Sequence, residues 1–246
     1  MAGSQIRPPR SRSARDARRP PSAPARRRFT RKMPEDRRAA LIDATIVSLK
    51  RNGHEGLAVR KIAAAARVSI GLINHHFPRK DALVAEAYRR FHRQLLDGFQ
   101  MAVAGAPNEP RARLRAFFEA NFTPPNLDRD VLTAWLVFWS LFRHSRPIQR
   151  AHRDTYGGYV ELVRRLLADM RTVGDNSGGT GAAGAAGGAA VANAGSDGSG
   201  RHSPRLAAIG LTALLDGLWL EWCLDPDTFS PREAIELCES WAERLR

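Results

Sequence analysis

Leu57 to Phe77 read LAVRKIAAAARVSIGLINHHF, a run that suits two short helices joined by a tight turn. In the first helix Val59, Ile62 and Ala63 share a side of a 3.6-residue repeat; in the second, Val68, Leu72 and Phe77 are expected to face inward. Ser69, Ile70, Gly71, Ile73, Asn74, His75 and His76 are then divided between solvent and packing. An α-helix fits the roughly 12 Å major groove of DNA, so a short protruding helix bearing Asn and His can meet base edges and phosphates. That is the geometry of a helix-turn-helix. An αα-hairpin with a merely solvated polar face shares the local pattern, so the flanking sequence has to decide.

Upstream, Pro34 suits a first helical turn, Glu35 and Asp36 favour its positive end, and Leu41, Ile42, Thr45, Ile46 and Leu49 form an apolar stripe that Asn52 and Gly53 end. Downstream, a long amphipathic helix is expected from about Arg79 to Val103, with Leu83, Ala87, Phe91, Leu95 and Phe99 on one side. Further helices are expected near 110–122, 127–144, 147–172, 204–224 and 230–245, punctuated by Pro124, Pro125, Pro147, Pro226 and Pro231. No stretch alternates as a strand bounded by hairpin turns, so the class is all-α. The division expected is a basic arm over 1–33, a three-helix DNA-binding domain over 34–82 with its motif at about 58–77, and a larger helical ligand-binding and dimerisation domain over 83–246. Ten of the twenty glycines lie between Gly174 and Gly200, so residues 173–203 are expected as a flexible loop inside the last domain.

Charge narrows the partners. The chain of 246 residues carries a formal +14, which favours a polyanion such as nucleic acid. Residues 1–33 hold eleven Lys and Arg against Asp16 alone, leaving about +4 for the remainder. This arm lacks apolar periodicity and is expected to be disordered, following DNA phosphates or merely aiding solubility. No run approaches the roughly 20 apolar residues needed to span a bilayer, so no membrane partner is expected. Cys223 and Cys238 supply neither a disulfide framework nor a four-ligand zinc site, and a reducing cytoplasmic setting fits them. Adjacent helical residues diverge by about 100°, so His75 and His76 cannot easily share a metal, and no nucleophile or partner acid stands at a catalytic spacing. Neither an enzyme nor a cofactor is expected.

The motif and its flanks together resemble the DNA-binding domain of the TetR family of bacterial repressors. Ile62, Ala63, Ala66, Val68, Ser69, Gly71, Ile73, Phe77, Lys80 and Leu83 match the family pattern. The resemblance implies a dimer that reads a palindromic operator on double-stranded DNA and is released by a small-molecule inducer. The candidate DNA-contacting residues are Arg60, Arg67, Ser69, Ile70, Gly71, Ile73, Asn74, His75, His76 and Lys80. Asn74 can pair with adenine, Ser69 and Lys80 can hold phosphates, and Ile70 can touch a thymine methyl. Three positions depart from the pattern: Arg67 replaces the turn glycine, Ala58 replaces a capping threonine, and His76 replaces a tyrosine that touches phosphate. A non-glycine residue held left-handed costs about 1–2 kcal/mol, so either the turn differs or the strain is tolerated where a cation sits near DNA. The other view of this charge balance is an architectural nucleic-acid-binding protein in which the arm dominates.

In the second half, VLTAWLVFWSLF places Trp135, Phe138, Trp139 and Phe142 on one helical side. AAIGLTALLDGLWLEW adds Leu211, Leu214, Leu215, Leu218, Trp219 and Trp222, with Asp216 inside the apolar run. Core and dimer interface explain such stripes, yet Asp216 and Glu221 are carboxylates beside indoles, and aromatic faces with a nearby negative charge bind quaternary ammonium groups. AWLVFWS, followed by Pro147, His152 and Tyr156, and then LLDGLWLEWCLDPDTFSPREA, resemble the ligand domain of the BetI-type branch. That resemblance implies a cationic inducer such as choline, with Trp135, Phe138, Trp139, Phe142, Tyr156, Asp216, Trp219 and Trp222 as candidate contacts. It also implies a four-helix dimer interface from the last two helices, where Gly210 and Gly217 would permit close approach; packing within one chain is the alternative.

Overall fold

The computed structural model describes residues 34–176 and 203–245, which contain helices and connecting turns but no strand. In order these are α1 (Pro34–Asn52), a 3-10 turn (Gly53–Leu57), α2 (Val59–Ala66), α3 (Ile70–His76), α4 (Lys80–Gly105), α5 (Pro110–Asn121), α6 (Arg129–Leu141), α7 (Arg146–Asn176), α8 (Pro204–Leu224) and α9 (Pro231–Glu243). The expected helices are present, with ends shifted by a few residues. Residues 1–33 and 177–202, which hold the expected arm and most of the expected loop, lie outside the described residues. The loop was expected from 173, but α7 continues through Gly174 to Asn176.

The ends of these helices follow local chemistry. Glu35 and Asp36 sit in the first turn of α1 and Lys50 and Arg51 in its last, each favourable to the helix dipole. Gly53, with φ +54°, ends α1 in a left-handed conformation that costs glycine nothing. Asp128 caps α6 by accepting from the amides of Asp130 and Val131. Ser230 and Glu233 close a capping box on α9.

Helix α4, 26 residues long, is the axis of the molecule. It packs against α1 on one side and against α5 and α7 on others, burying Leu83, Ala87, Tyr88, Phe91, Leu95 and Phe99. Each Leu and Phe among them contributes about 1.5–3 kcal/mol of hydrophobic stabilisation. Its first turns hold up the small helical head formed by α1, α2 and α3, whose core is Leu41, Leu49, Ile62, Ile73 and Phe77. Helix α6 also packs on α1 and the 3-10 turn, so α4 and α6 both brace the head directly.

Among the described residues α8 alone is long and apolar enough to cross a membrane by length and composition, a test that core helices also pass. It is apolar nearly all round: Leu211, Leu215 and Trp219 are buried, while Leu206, Ile209, Leu220 and Leu224 are exposed. A helix of this kind needs cover on more than one side. Among the described residues α8 packs chiefly on α6, α7 and α9, which cover its buried side.

Candidate functional sites: a reading helix and an aromatic cavity

At the tip of the head, α3 is held by its two ends. Ser69 is the N-cap, its hydroxyl oxygen accepting from the Leu72 amide at 3.3 Å. At the other end the buried Phe77 ring anchors the chain, its amide donating to the Ile73 carbonyl at 2.8 Å. Ile73 is 2 % exposed, one turn before Phe77 on the same side. This corrects two assignments: Ile73 packs in the core and cannot reach a base, and Leu72, expected inward, is only half-buried. The anchor at Phe77 selects position i−4, and the sequence pattern had been phased one residue early.

The outer side of α3 consists of Ile70, Gly71, Asn74 and His75, all exposed, with His76 half-buried beside them. Ile70 is an apolar side chain 47 % open to solvent. Arg60, Arg67, Ser69 and Lys80 are exposed around it. The His75 and His76 rings meet edge-on at 5.3 Å, and among the described residues no group of three or more His, Cys, Asp or Glu could hold a metal. Arg67 adopts φ 55° and ψ 45°, the left-handed turn its glycine-free sequence made costly. Ala58 occupies the N-cap of α2 without a side-chain bond, as its missing hydroxyl requires.

The second site is a cavity of about 60 Å³ among α4, α5, α6, α7 and α8. Tyr88, His92, Leu95, Leu96 and Phe99 come from α4 and Asn121 from α5. Trp135 and Trp139 come from α6, His152, Tyr156 and Tyr159 from α7, and Leu215, Asp216 and Trp219 from α8. The Trp219 indole is fixed by donation to the Asn121 carbonyl at 3.2 Å. Tyr88 and His152 share a hydrogen bond of 2.8 Å between the phenol oxygen and Nδ1, and the His152 ring lies 4.4 Å from that of Tyr156.

Among these lining residues one carries charge near pH 7. Burial lowers His92 to about 4, with His152 adding to the effect, and burial also lowers His152, so both imidazoles are neutral. Burial raises Asp216 to about 6, which leaves it largely ionised at pH 7. No hydrogen bond or ion pair to its carboxylate is found among the described residues.

Of the ligand candidates, Trp135, Trp139, Tyr156, Asp216 and Trp219 meet at this cavity. Three do not: Phe138 is fully buried against Tyr88 and Phe91, Phe142 packs on Tyr88 and His152 behind the wall, and Trp222 packs on the core elsewhere. Glu221 is exposed and faces no cavity. Sequence reasoning missed the contribution of α4. Its signal was Tyr88 and His92, two polar-tipped residues one turn apart that lead into Leu95 and Phe99 of the core stripe.

Two family models match the chain. Residues 41–87 match the bacterial regulatory proteins of the tetR family. Residues 110–198 and 189–246 match the C-terminal domain of BetI-type transcriptional repressors. The chain is 32 % identical to the HTH-type transcriptional regulator BetI of Burkholderia mallei over 87 % of its own length and 95 % of the relative's. It is 30 % identical to the BetI of Paraburkholderia phymatum, over 87 % and 94 %. A crystal structure of a transcriptional regulator from Pseudomonas aeruginosa PAO1 is 43 % identical, with TM-score 0.70 over 89 % of this chain and 94 % of that one. A regulator from Saccharomonospora viridis, solved in complex with choline, shares the fold at 19 % identity, with TM-score 0.65 over 85 % and 96 %.

Proposed function

The chain belongs to the TetR family of bacterial transcriptional regulators, in its BetI-type branch, a class of regulators and not of enzymes, and on that premise we propose that it is a cytoplasmic dimeric repressor released from a palindromic operator by a small organic cation. The observation that carries the ligand assignment is Asp216: a half-buried carboxylate with no cationic partner among the described residues, in a cavity walled by Tyr and Trp rings. A quaternary ammonium over such rings gains about 0.5–2 kcal/mol from each good cation–π contact and would serve as the counter-ion Asp216 lacks. At roughly 10–15 Å³ per water, the cavity holds only a few waters, which suits a compact cation such as choline, the ligand of the Saccharomonospora viridis neighbour.

Asn74, His75 and Ile70 form the base-reading side of α3, with Ser69, Lys80, Arg60, Arg67, Gly71 and His76 placed for the backbone. Ser69 uses its oxygen on Leu72, leaving its hydroxyl proton for a phosphate. Two copies held by the open side of α8 and by α9 would present their reading helices about 34–36 Å apart, one turn of duplex. Helix α4 runs unbroken from the head to the cavity, so a ligand that shifts Tyr88, His92 or Phe99 shifts the support of α3. By reciprocity, operator DNA weakens ligand binding by the same factor.

The experiment is a binding titration on the duplex upstream of the protein's own gene, with and without choline, betaine aldehyde and other small cations. Wild type should bind and be released by one of them; Asp216→Asn should bind equally well and ignore it. Equal release of both proteins would remove Asp216 from the ligand site.

A further inference from the structure

Outside both sites, one line of charged side chains joins them. Arg38, on the second turn of α1, lays its guanidinium over the Phe77 ring at 4.2 Å from the centroid. Its Nη1 donates to the His76 carbonyl at 3.4 Å, so it touches both residues that end the reading helix. Its Nη2 lies 3.9 Å from Glu86 Oε1 on α4. The same carboxylate oxygen accepts from Arg89 Nη1 at 3.1 Å, and Arg89 Nη2 donates to Asp154 on α7 at 2.8 Å. Asp154 is two residues from His152 and Arg89 one from Tyr88, the pair that closes the hydrogen bond inside the cavity.

We propose that Arg38 is a positioning residue for the C-terminal end of the reading helix, and that Glu86, Arg89 and Asp154 tie that position to helix α7. This goes beyond the repressor assignment while resting on it for the role of α3. Arginine is required because one planar group stacks on Phe77, donates to a carbonyl and meets a carboxylate; lysine offers only a point charge. The inner bond, Tyr88 to His152, and the outer pair, Arg89 to Asp154, span the same two helices at neighbouring positions. A ligand that parts the first alters the second, and the change reaches α3 through Glu86 and Arg38. Partly exposed ion pairs are individually weak, so each link is worth roughly a two- to fivefold change in a local opening equilibrium.

The test is amide hydrogen exchange of residues 73–78 in the free full-length protein, for wild type, Arg38→Gln, Arg38→Lys, Asp154→Asn and the Arg38→Gln/Asp154→Asn double variant. Arg38→Gln should speed exchange at Phe77 about fivefold, Arg38→Lys by an intermediate amount, and Asp154→Asn about twofold. The double variant should match Arg38→Gln alone, since a broken chain cannot be broken twice. Exchange unchanged in Asp154→Asn, or single effects that multiply in the double variant, would overturn the link. Unchanged exchange in Arg38→Gln, with weaker DNA binding and a salt slope reduced by about one, would make Arg38 a phosphate contact instead. The exchange measurement uses no DNA, so failure of the operator assignment shows separately as a wild type that does not bind.

Discussion

Arg67 and Asp216 are the residues that the molecule holds at a cost. The left-handed turn at Arg67 forfeits about 1–2 kcal/mol that glycine would not. Arg67→Gly should therefore raise the melting temperature by roughly 2–8 °C for a chain of this size while weakening DNA binding through a lost cation. A calorimetric scan without an upward shift would mean the turn is unstrained. Asp216 keeps its proton up to about pH 6 when folded, against 3.8 otherwise. The folded state thus binds more protons between those values, and stability falls as pH rises from about 4 to about 6. Asp216→Asn should match wild type at pH 4 and exceed it above pH 6, by at most about 3 kcal/mol. Cation binding by the wild type should fade in the opposite sense, as acid neutralises the carboxylate below pH 6. At this scale the sequence was legible where chemistry was unusual: an arginine in a glycine position and a carboxylate inside an apolar run. It misled at Ile73, because a seven-residue helix holds too few turns for periodicity to fix its phase, and the anchoring by Phe77 is a tertiary fact.

Between α8 and α9 the two glycines separate into different roles. A Cβ at Gly210 would lie 2.7 Å from the Trp241 ring, so its close approach is to α9 of the same chain; at Gly217 a Cβ would meet nothing within 4 Å. Gly210→Ala should loosen the α8–α9 pair and lower the melting temperature with little change in assembly. Leu206, Ile209, Leu220 and Leu224, together with Leu237 on α9, are exposed apolar positions that the dimer proposal covers. Leu220→Glu should turn the dimer into a monomer in sedimentation at micromolar concentration while the helix content stays. A dimer that survives would move the interface elsewhere. Helix positions were legible because apolar spacing reports burial. The cavity was only half legible, since spacing cannot tell a side chain packed on neighbours from one facing a void: α6 and α8 offered tryptophans as a hint, and α4 offered only a tyrosine and a histidine within a core-like stripe.

For the whole molecule the question is how a ligand in the cavity behind α4 would govern a helix at the tip of the head. With α1 packed on both α4 and α6, the head is joined to the body, and the coupling needs only two arrangements of the helices differing in affinity for DNA. The basic segment 1–33, with eleven Lys and Arg, would add electrostatic attraction of another kind. Removing it should flatten the salt dependence and leave sequence preference intact, whereas a protein whose arm dominates would lose most affinity. The central claim is that the outer side of α3 reads base edges, and it is tested most directly by replacing Asn74 and His75 together with Ala and measuring affinity for the upstream duplex beside a scrambled one. The account predicts a loss of at least tenfold on the specific duplex, nearly none on the scrambled one, and an unchanged dimer. Equal affinity of wild type and double variant for the specific duplex would contradict it.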